Sequence, residues 1–155
     1  TSRSGVESEI ARLQERRFLT PEQAEAVDAD KILAFFFSPL GRRMMASETV
    51  YREFKFSLLA PCAVMEDLSA LARDPDTGED TILFQGVVDC YFEDAGGLVL
   101  IDFKTDFVPP DGAGVLAARY QPQLAAYALA LSRITGKQVA ERHLYLFQTG
   151  TDVCV

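Results

Sequence analysis

The chain has 155 residues, of which 48% are hydrophobic and 25% are charged, and its formal net charge is −8. This composition is typical of a single globular domain with its own core, and it excludes a disordered chain. The negative charge disfavours an autonomous nucleic-acid-binding module, because Lys and Arg contacts to phosphate supply most nucleic-acid affinity.

Cysteine usage and hydropathy exclude further classes of protein. The three cysteines, Cys62, Cys90 and Cys154, lack a Cys-x-x-Cys spacing, which argues against a disulfide framework or a zinc site and fits a reducing cytoplasm. No apolar run approaches the length of a membrane span and no signal-peptide pattern opens the chain, so no membrane partner is expected. No G-x-x-x-x-G-K-[ST] loop is present, so ATP hydrolysis must lie outside this chain.

The N-terminal part is predicted to be all-helical. Apolar residues at helical spacing indicate an amphipathic helix over 4–17, and Thr20-Pro-Glu-Gln23 is a capping box that starts a second helix. A third helix is expected over 30–37, where three consecutive phenylalanines favour a place in the core. Ser38-Pro39 then starts a short fourth helix that ends near residue 46.

A period-two pattern follows and predicts a strand over 49–59. One face of this strand is expected to be apolar, and it carries Val50, Phe54, Phe56 and Leu58. Residues 67–80 are polar and contain a turn signal, so they are expected to form an exposed loop.

The central stretch reads as a hairpin of two apolar strands, 82–92 and 98–103, joined by a turn at 94–97. If Glu93 pairs with Leu98, then Asp89 lies opposite Asp102. Side chains alternate along a strand, so Asp102 and Lys104 project from the same side. Two carboxylates across a ladder in an apolar setting need a compensating cation, and a divalent metal with oxygen ligands is the natural candidate.

A helix with one apolar face is predicted after a breaker-rich connection at 108–114. Pro122 is tolerated in a first turn, so the regular helix is expected to start near Gln121 and to stop at Gly136. Gln123 and Tyr127 are four residues apart and therefore neighbours on one face. Residues 139–147 are expected to form the final strand, in which His143 is a cross-strand packing residue rather than a ligand.

These motifs together carry a family resemblance. The order Asp89, then Asp102-x-Lys104 on the next strand, then Gln123-x-x-x-Tyr127 on a helix, resembles the RecB-like branch of the PD-(D/E)XK nuclease superfamily. Within that branch, nearly the whole chain is similar to the C-terminal nuclease domains of the AddAB family of helicase–nucleases. Four sequence segments carry this similarity: Ser38-Pro-Leu-Gly-Arg42, Arg52-Glu-Phe54, Gly86-Val-Val-Asp-Cys-Tyr-Phe92 and Ile101-Asp-Phe-Lys-Thr-Asp106.

The resemblance implies a fold and a domain organisation. The expected class is α/β, a restriction-endonuclease-like mixed central sheet flanked by helices with an all-helical N-terminal portion. Residues 1–155 would form one nuclease domain of a larger helicase–nuclease, with a helical portion at 1–47 and a nuclease core at 48–155.

The resemblance also implies the site. Mg²⁺ or Mn²⁺ would be held by the carboxylates of Asp89 and Asp102 and by the main-chain carbonyl of Phe103. Lys104 would position the attacking water and offset negative charge in the transition state. Gln123 and Tyr127 would reach toward the metal or the DNA backbone. The family also has a recurring acidic residue before the metal-binding strand, and Glu53 matches it in this chain. Glu53 has two equally open interpretations, a role near the site and an ordinary solvated position on the strand.

The implied substrate is DNA, a single strand of a broken duplex end delivered by the helicase motor, and the implied partner is an AddB-like subunit. Family members usually add a histidine from a helix N-terminal to the region seen here. This chain has no histidine before His143, so weakened metal affinity and an inactive isolated fragment are expected. The cysteine count argues against the iron–sulfur cluster of related nucleases. A free-standing RecB-like nuclease with other substrates and a catalytically silent interaction domain are the alternatives.

Overall fold

A computed structural model describes residues 1–61, 81–110 and 112–155. The first 46 residues contain four helices: α1 (Arg3–Glu15), α2 (Pro21–Ala26), α3 (Ala29–Phe37) and α4 (Pro39–Ala46). The predicted capping box is confirmed, because Thr20 Oγ1 accepts from Gln23 N while Gln23 Oε1 accepts from Thr20 N. Ser38 caps α4 as predicted. The loop expected at 67–80 lies outside the described residues.

The remaining described residues form one mixed sheet and one long helix. The elements are β1 (Val50–Pro61), β2 (Thr81–Asp94), β3 (Gly97–Lys104), α5 (Ala113–Thr135), β4 (Val139–Leu146) and β5 (Thr151–Cys154). Their order in the sheet is β1-β2-β3-β4-β5, with β3 and β4 parallel and every other pair antiparallel. Because parallel neighbours need a crossover, α5 returns the chain across one face. The predicted α/β class with a mixed sheet flanked by helices is confirmed.

The sheet has a hydrophobic cluster on each face. On one face α5 buries Leu116, Leu124 and Leu131 against the strands. On the other, α3 and α4 bury Phe35, Leu40 and Met44 against Ile101 and Tyr145. Burial from both sides explains why β3 is almost continuously apolar. A charged residue on β3 is therefore buried, and its charge must be compensated by a neighbouring group.

The hairpin register is the one predicted. Glu93 pairs with Leu98 and Asp94 pairs with Gly97, so the connection is the two-residue turn Ala95–Gly96. The alternation on β3 then places Asp102 and Lys104 on the α5 face, in line with the buried Leu98 and Leu100.

The predicted apolar face of β1 is partly wrong. Phe54, Phe56 and Leu58 pack into the α5-side cluster, but Val50 packs into the opposite one. The face changes near Glu53, which has a φ of 49°. In β2, the partner of β1, side chains switch faces at the same level, because Val88 and Cys90 belong to different clusters. The register of the β1–β2 pairing is the same on both sides of this point. The side-chain alternation of both strands is therefore broken at this point, which a period-two pattern cannot reveal.

Two further predictions are corrected. The C-terminal helix starts at Ala113 rather than near Gln121, with Pro122 in its interior. The earlier start buries Leu116 and Ala117, while the carbonyl that Pro122 leaves without a donor belongs to the exposed Ala118, where water can reach it. Gly136 ends the helix in a left-handed conformation, as predicted. Residues 139–147 do not form the last strand, because β5 follows and pairs with β4. None of the helices in the described ranges meets the length and hydropathy that crossing a membrane requires.

Candidate functional site

The site begins where β2 separates from β3. Their main-chain pairing ends at Cys90 and Ile101, one step before Asp89 would face Asp102. Instead of a ladder bond, the Asp89 side chain fills the gap, and its Oδ2 accepts a 2.9 Å hydrogen bond from the Phe103 main-chain N–H. This contact holds the Asp89 carboxylate at the end of β3, close enough to Asp102 to raise the pKa of that residue.

Asp102 is the most deeply buried acidic residue among those described, with 2% of its surface exposed. Its Oδ2 lies 2.6 Å from Lys104 Nζ, and this ion pair is the one close polar contact of that oxygen among the described residues. Burial raises the pKa of Asp102, with smaller increases from Asp89 and Asp106, and Lys104 opposes the shift. A buried carboxylate with a second carboxylate close by needs compensating positive charge, which is the feature expected of a cation ligand.

Lys104 is held among acidic and aromatic groups. Burial lowers the pKa of its ammonium, but Asp102, Tyr120 and Asp89 more than offset this, so the pKa is raised. The ammonium lies 4.4 Å from the centroid of the Tyr120 ring. The Tyr120 hydroxyl donates a 3.0 Å hydrogen bond to Asp106 Oδ1. Lys104 is therefore a localised cation at the end of β3, and its raised pKa keeps it charged at neutral pH.

Gln123 and Tyr127 lie on α5, which covers the face that carries Asp102. Gln123 Nε2 donates a 3.0 Å hydrogen bond to Tyr127 Oη. The Tyr127 ring packs edge-on against Phe56, with centroids 5.7 Å apart, and lies so close to Gly86 that a Cβ there would sit 2.9 Å from it. The structure thus joins this pair to β1 and β2, and a contact of the pair with metal or DNA stays a prediction.

Several neighbours of the site had no role predicted from the sequence. Tyr120 and Asp106 are the clearest, and their sequence signals are proximity to Gln123 and Lys104 and, for Asp106, its place at the end of the Ile101-Asp-Phe-Lys-Thr-Asp106 segment. Arg52 lines a small apolar cleft together with Asp89 and Phe103. Glu53 is exposed, and the pairs that flank it place it opposite Asp89.

The residues present fit a divalent metal in chemistry but supply few ligands. Two carboxylates and a main-chain carbonyl are the hard oxygen donors that Mg²⁺ and Mn²⁺ prefer. Across the described ranges, no group of three or more His, Cys, Asp or Glu side chains is arranged to hold a metal ion. Asp89, Asp102 and the Phe103 carbonyl would therefore form an incomplete set.

His143 belongs to a separate cluster of charged side chains, whereas Cys90 lines the same small cleft as Asp89 and Phe103. His143 is buried in β4, and its two ring nitrogens lie 2.8 Å from Asp152 Oδ1 and from Glu141 Oε2, a charged network rather than simple packing. Glu141 is also bound by Arg43, so the pKa of Glu141 falls to about 2. Cys90 is buried and Cys154 is exposed.

Comparison with known proteins decides the family. The sequence matches the PD-(D/E)XK nuclease superfamily over residues 3–152. The chain belongs to this superfamily. It is 43% identical over 148 residues to an ATP-dependent helicase/nuclease subunit from Acetivibrio thermocellus, and 41% identical over 153 residues to the corresponding subunit from Alkaliphilus oremlandii. These alignments cover 96% and 98% of the chain.

The superfamily match includes every candidate site residue, from Asp89 to Tyr127. The chain spans about 12% of the length of the two relatives. Their names therefore describe proteins much longer than this chain.

Proposed function

We propose that the chain is the metal-dependent deoxyribonuclease domain of a longer ATP-dependent helicase/nuclease of the AddAB type. The observation that carries this proposal is that the Asp89 carboxylate, the buried Asp102 carboxylate and the Lys104 ammonium come together where β2 leaves β3. A surface hairpin with an ordinary Asp–Lys pair would not bury its carboxylate to 2% exposure.

The residues divide the work as follows. Asp89, Asp102 and the Phe103 carbonyl would hold Mg²⁺ or Mn²⁺, which when bound polarises the scissile phosphate and lowers the pKa of a water. Asp89 also orients the edge of β3 through its hydrogen bond to Phe103 N. Lys104 places a fixed positive charge where negative charge grows in the transition state, and its burial strengthens that effect.

The setting in the longer protein follows from the relatives and from this chain's charge. The relatives are named helicase/nuclease subunits, whereas this chain has no phosphate-binding loop for ATP. A net charge of −8 gives the domain little affinity for DNA of its own. We therefore infer that a helicase motor delivers a single strand of a broken duplex end, and that the partner is an AddB-like protein. Exonucleolytic trimming would prepare ends for recombinational repair in the cytoplasm.

The test compares variants of the complete helicase–nuclease. Asp102→Ala and Lys104→Ala should each lower DNA cleavage by at least about a hundredfold, the range measured when a transition-state charge stabiliser is removed. ATP hydrolysis should persist, which shows that the protein is folded. Lys137→Ala is the matched control, because Lys137 is an exposed lysine paired with Glu93 at 2.6 Å. Wild-type cleavage in both site variants would refute the proposal.

Metal binding gives a second test. Cleavage should stop in EDTA and return with excess Mg²⁺ or Mn²⁺. Calorimetry on the 155-residue chain alone should show weak Mn²⁺ binding that is lost in Asp102→Asn, because the described residues supply only two carboxylates. We expect this isolated chain to be inactive. Full metal-dependent cleavage by it would contradict the incomplete ligand set.

A further inference from the structure

Lys104 has two independent contacts that restrain its ammonium. One is the ion pair with Asp102 at 2.6 Å, and the other is the face of Tyr120 at 4.4 Å. An ammonium within about 6 Å of an aromatic centroid is attracted by the ring quadrupole. Arg119 also approaches this ring, but its guanidinium carbon lies farther away, at 5.4 Å. Lys104 is thus the nearer cation.

Tyr120 is itself anchored. Its hydroxyl donates a 3.0 Å hydrogen bond to Asp106 Oδ1, and Asp106 lies two residues beyond Lys104. The chain after β3 therefore turns back to hold the ring that Lys104 contacts. Because Tyr120 belongs to α5, this arrangement ties the end of β3 to the helix across the site.

The contact with Tyr120 is important because the proposed function gives Asp102 two roles. Asp102 pairs with Lys104, and it is also expected to bind a divalent cation. A carboxylate shared with such a cation attracts an ammonium less strongly, and the two cations repel each other. A lysine side chain has four flexible bonds and considerable rotamer entropy, so Asp102 alone would not hold it in one place.

We propose that Tyr120, anchored by Asp106, is a positioning residue that keeps the Lys104 ammonium at the reaction centre while Asp102 binds the cation. This inference rests on the proposed nuclease function. It assigns the aromatic face, and not the hydroxyl alone, as the group that acts on Lys104.

A metal-free measurement tests the contact directly. In the isotopically labelled chain, the ε-methylene protons of Lys104 should be shifted upfield by the Tyr120 ring current. Tyr120→Leu should return that resonance toward its unshifted position, whereas Tyr120→Phe should keep it. Tyr51→Leu is the matched control, because Tyr51 stacks on Tyr91 at 4.5 Å, away from Lys104.

Kinetics in the complete helicase–nuclease test the consequence. Tyr120→Leu should lower kcat by about ten- to a hundredfold, less than the loss expected when the charge itself is removed, with KM for DNA nearly unchanged. Tyr120→Phe should restore most of kcat. Asp106→Ala should lower kcat a few-fold, because the ring remains but is less well anchored.

Each outcome decides the proposal. A folded Tyr120→Leu variant with wild-type kcat, or a Tyr120→Phe variant as impaired as Tyr120→Leu, would overturn it. If Tyr120→Leu does not fold, Asp106→Ala decides, and an unchanged Lys104 resonance with unchanged kcat overturns the proposal. Normal cleavage by both Asp102→Ala and Lys104→Ala would instead refute the proposed nuclease site, and it would leave the metal-free result on Tyr120 intact.

Discussion

Neutralising the Asp102–Lys104 pair should stabilise the fold while abolishing cleavage. Asp102 is 2% exposed and Lys104 17%, so both charges have lost most of their hydration. Burial raises the pKa of Asp102 in spite of the nearby ammonium. A raised carboxyl pKa means that ionised Asp102 lowers stability at neutral pH, whereas the raised pKa of Lys104 favours its charged form, so the two shifts point in opposite directions. The burial of both groups decides between them, because removing two charges from water costs more than their attraction returns.

The expected size follows from this burial. Replacing a buried ion pair by neutral side chains of similar volume is neutral or stabilising by up to about 4 kcal/mol. For a domain of this length, each 1 kcal/mol raises Tm by roughly 2–4 °C. We expect the double variant Asp102→Asn/Lys104→Met to be more stable than wild type. Asp102→Asn alone should be less stable than the double variant, because it leaves a buried ammonium without an anion.

Urea unfolding followed by circular dichroism, at neutral pH with EDTA, measures these differences. The matched control is Glu93→Gln/Lys137→Met, which removes an ion pair of the same 2.6 Å length whose side chains are 54% and 52% exposed. Its stability should change little, since exposed pairs contribute little. A double site variant less stable than wild type, with an unchanged m-value, would refute the reasoning and show that the pair holds the fold together.

Three further predictions concern pH, backbone shape and packing. Burial lowers the pKa of His143, but Asp152 and Glu141 raise it above its ordinary 6.5. The ion pairs of protonated His143 therefore stabilise the fold below pH 6.5, and this contribution is lost as pH rises through the folded pKa. The pKa of Glu141 is lowered to about 2, so its contribution is present above 4.5 and lost as pH falls; His143→Gln should therefore cost most stability between these limits, as pH-dependent urea unfolding would show. Glu53→Gly should raise the free energy of unfolding by up to about 1 kcal/mol by relieving a φ of 49°, and a lower free energy of unfolding in urea would contradict this. An unchanged cleavage rate in this variant would show that Glu53 takes no part in the reaction. Gly86→Ala should lower stability by about 1–3 kcal/mol, because its Cβ would lie 2.9 Å from the Tyr127 ring; wild-type thermal stability would contradict the close packing.

Local rules in the sequence predicted much of the site's framework. A two-residue turn set the register of the hairpin, and strand alternation put Asp102 and Lys104 on one side. Capping residues located the starts of α2 and α4. Each of these features depends on residues close together in the chain, and for that reason a single sequence was enough to predict them.

Long-range packing decided the rest. Pro122 lies inside α5 because burial of Leu116 on the sheet outweighs the missing hydrogen bond. The parting of β2 from β3 at Asp89 and the contact of Lys104 with Tyr120 join residues that are far apart in sequence. The sequence by itself determined which acidic and basic groups the protein carries and which of them share a strand face. Only the tertiary structure decided how they meet, because strand twist and helix packing balance contributions from the whole core.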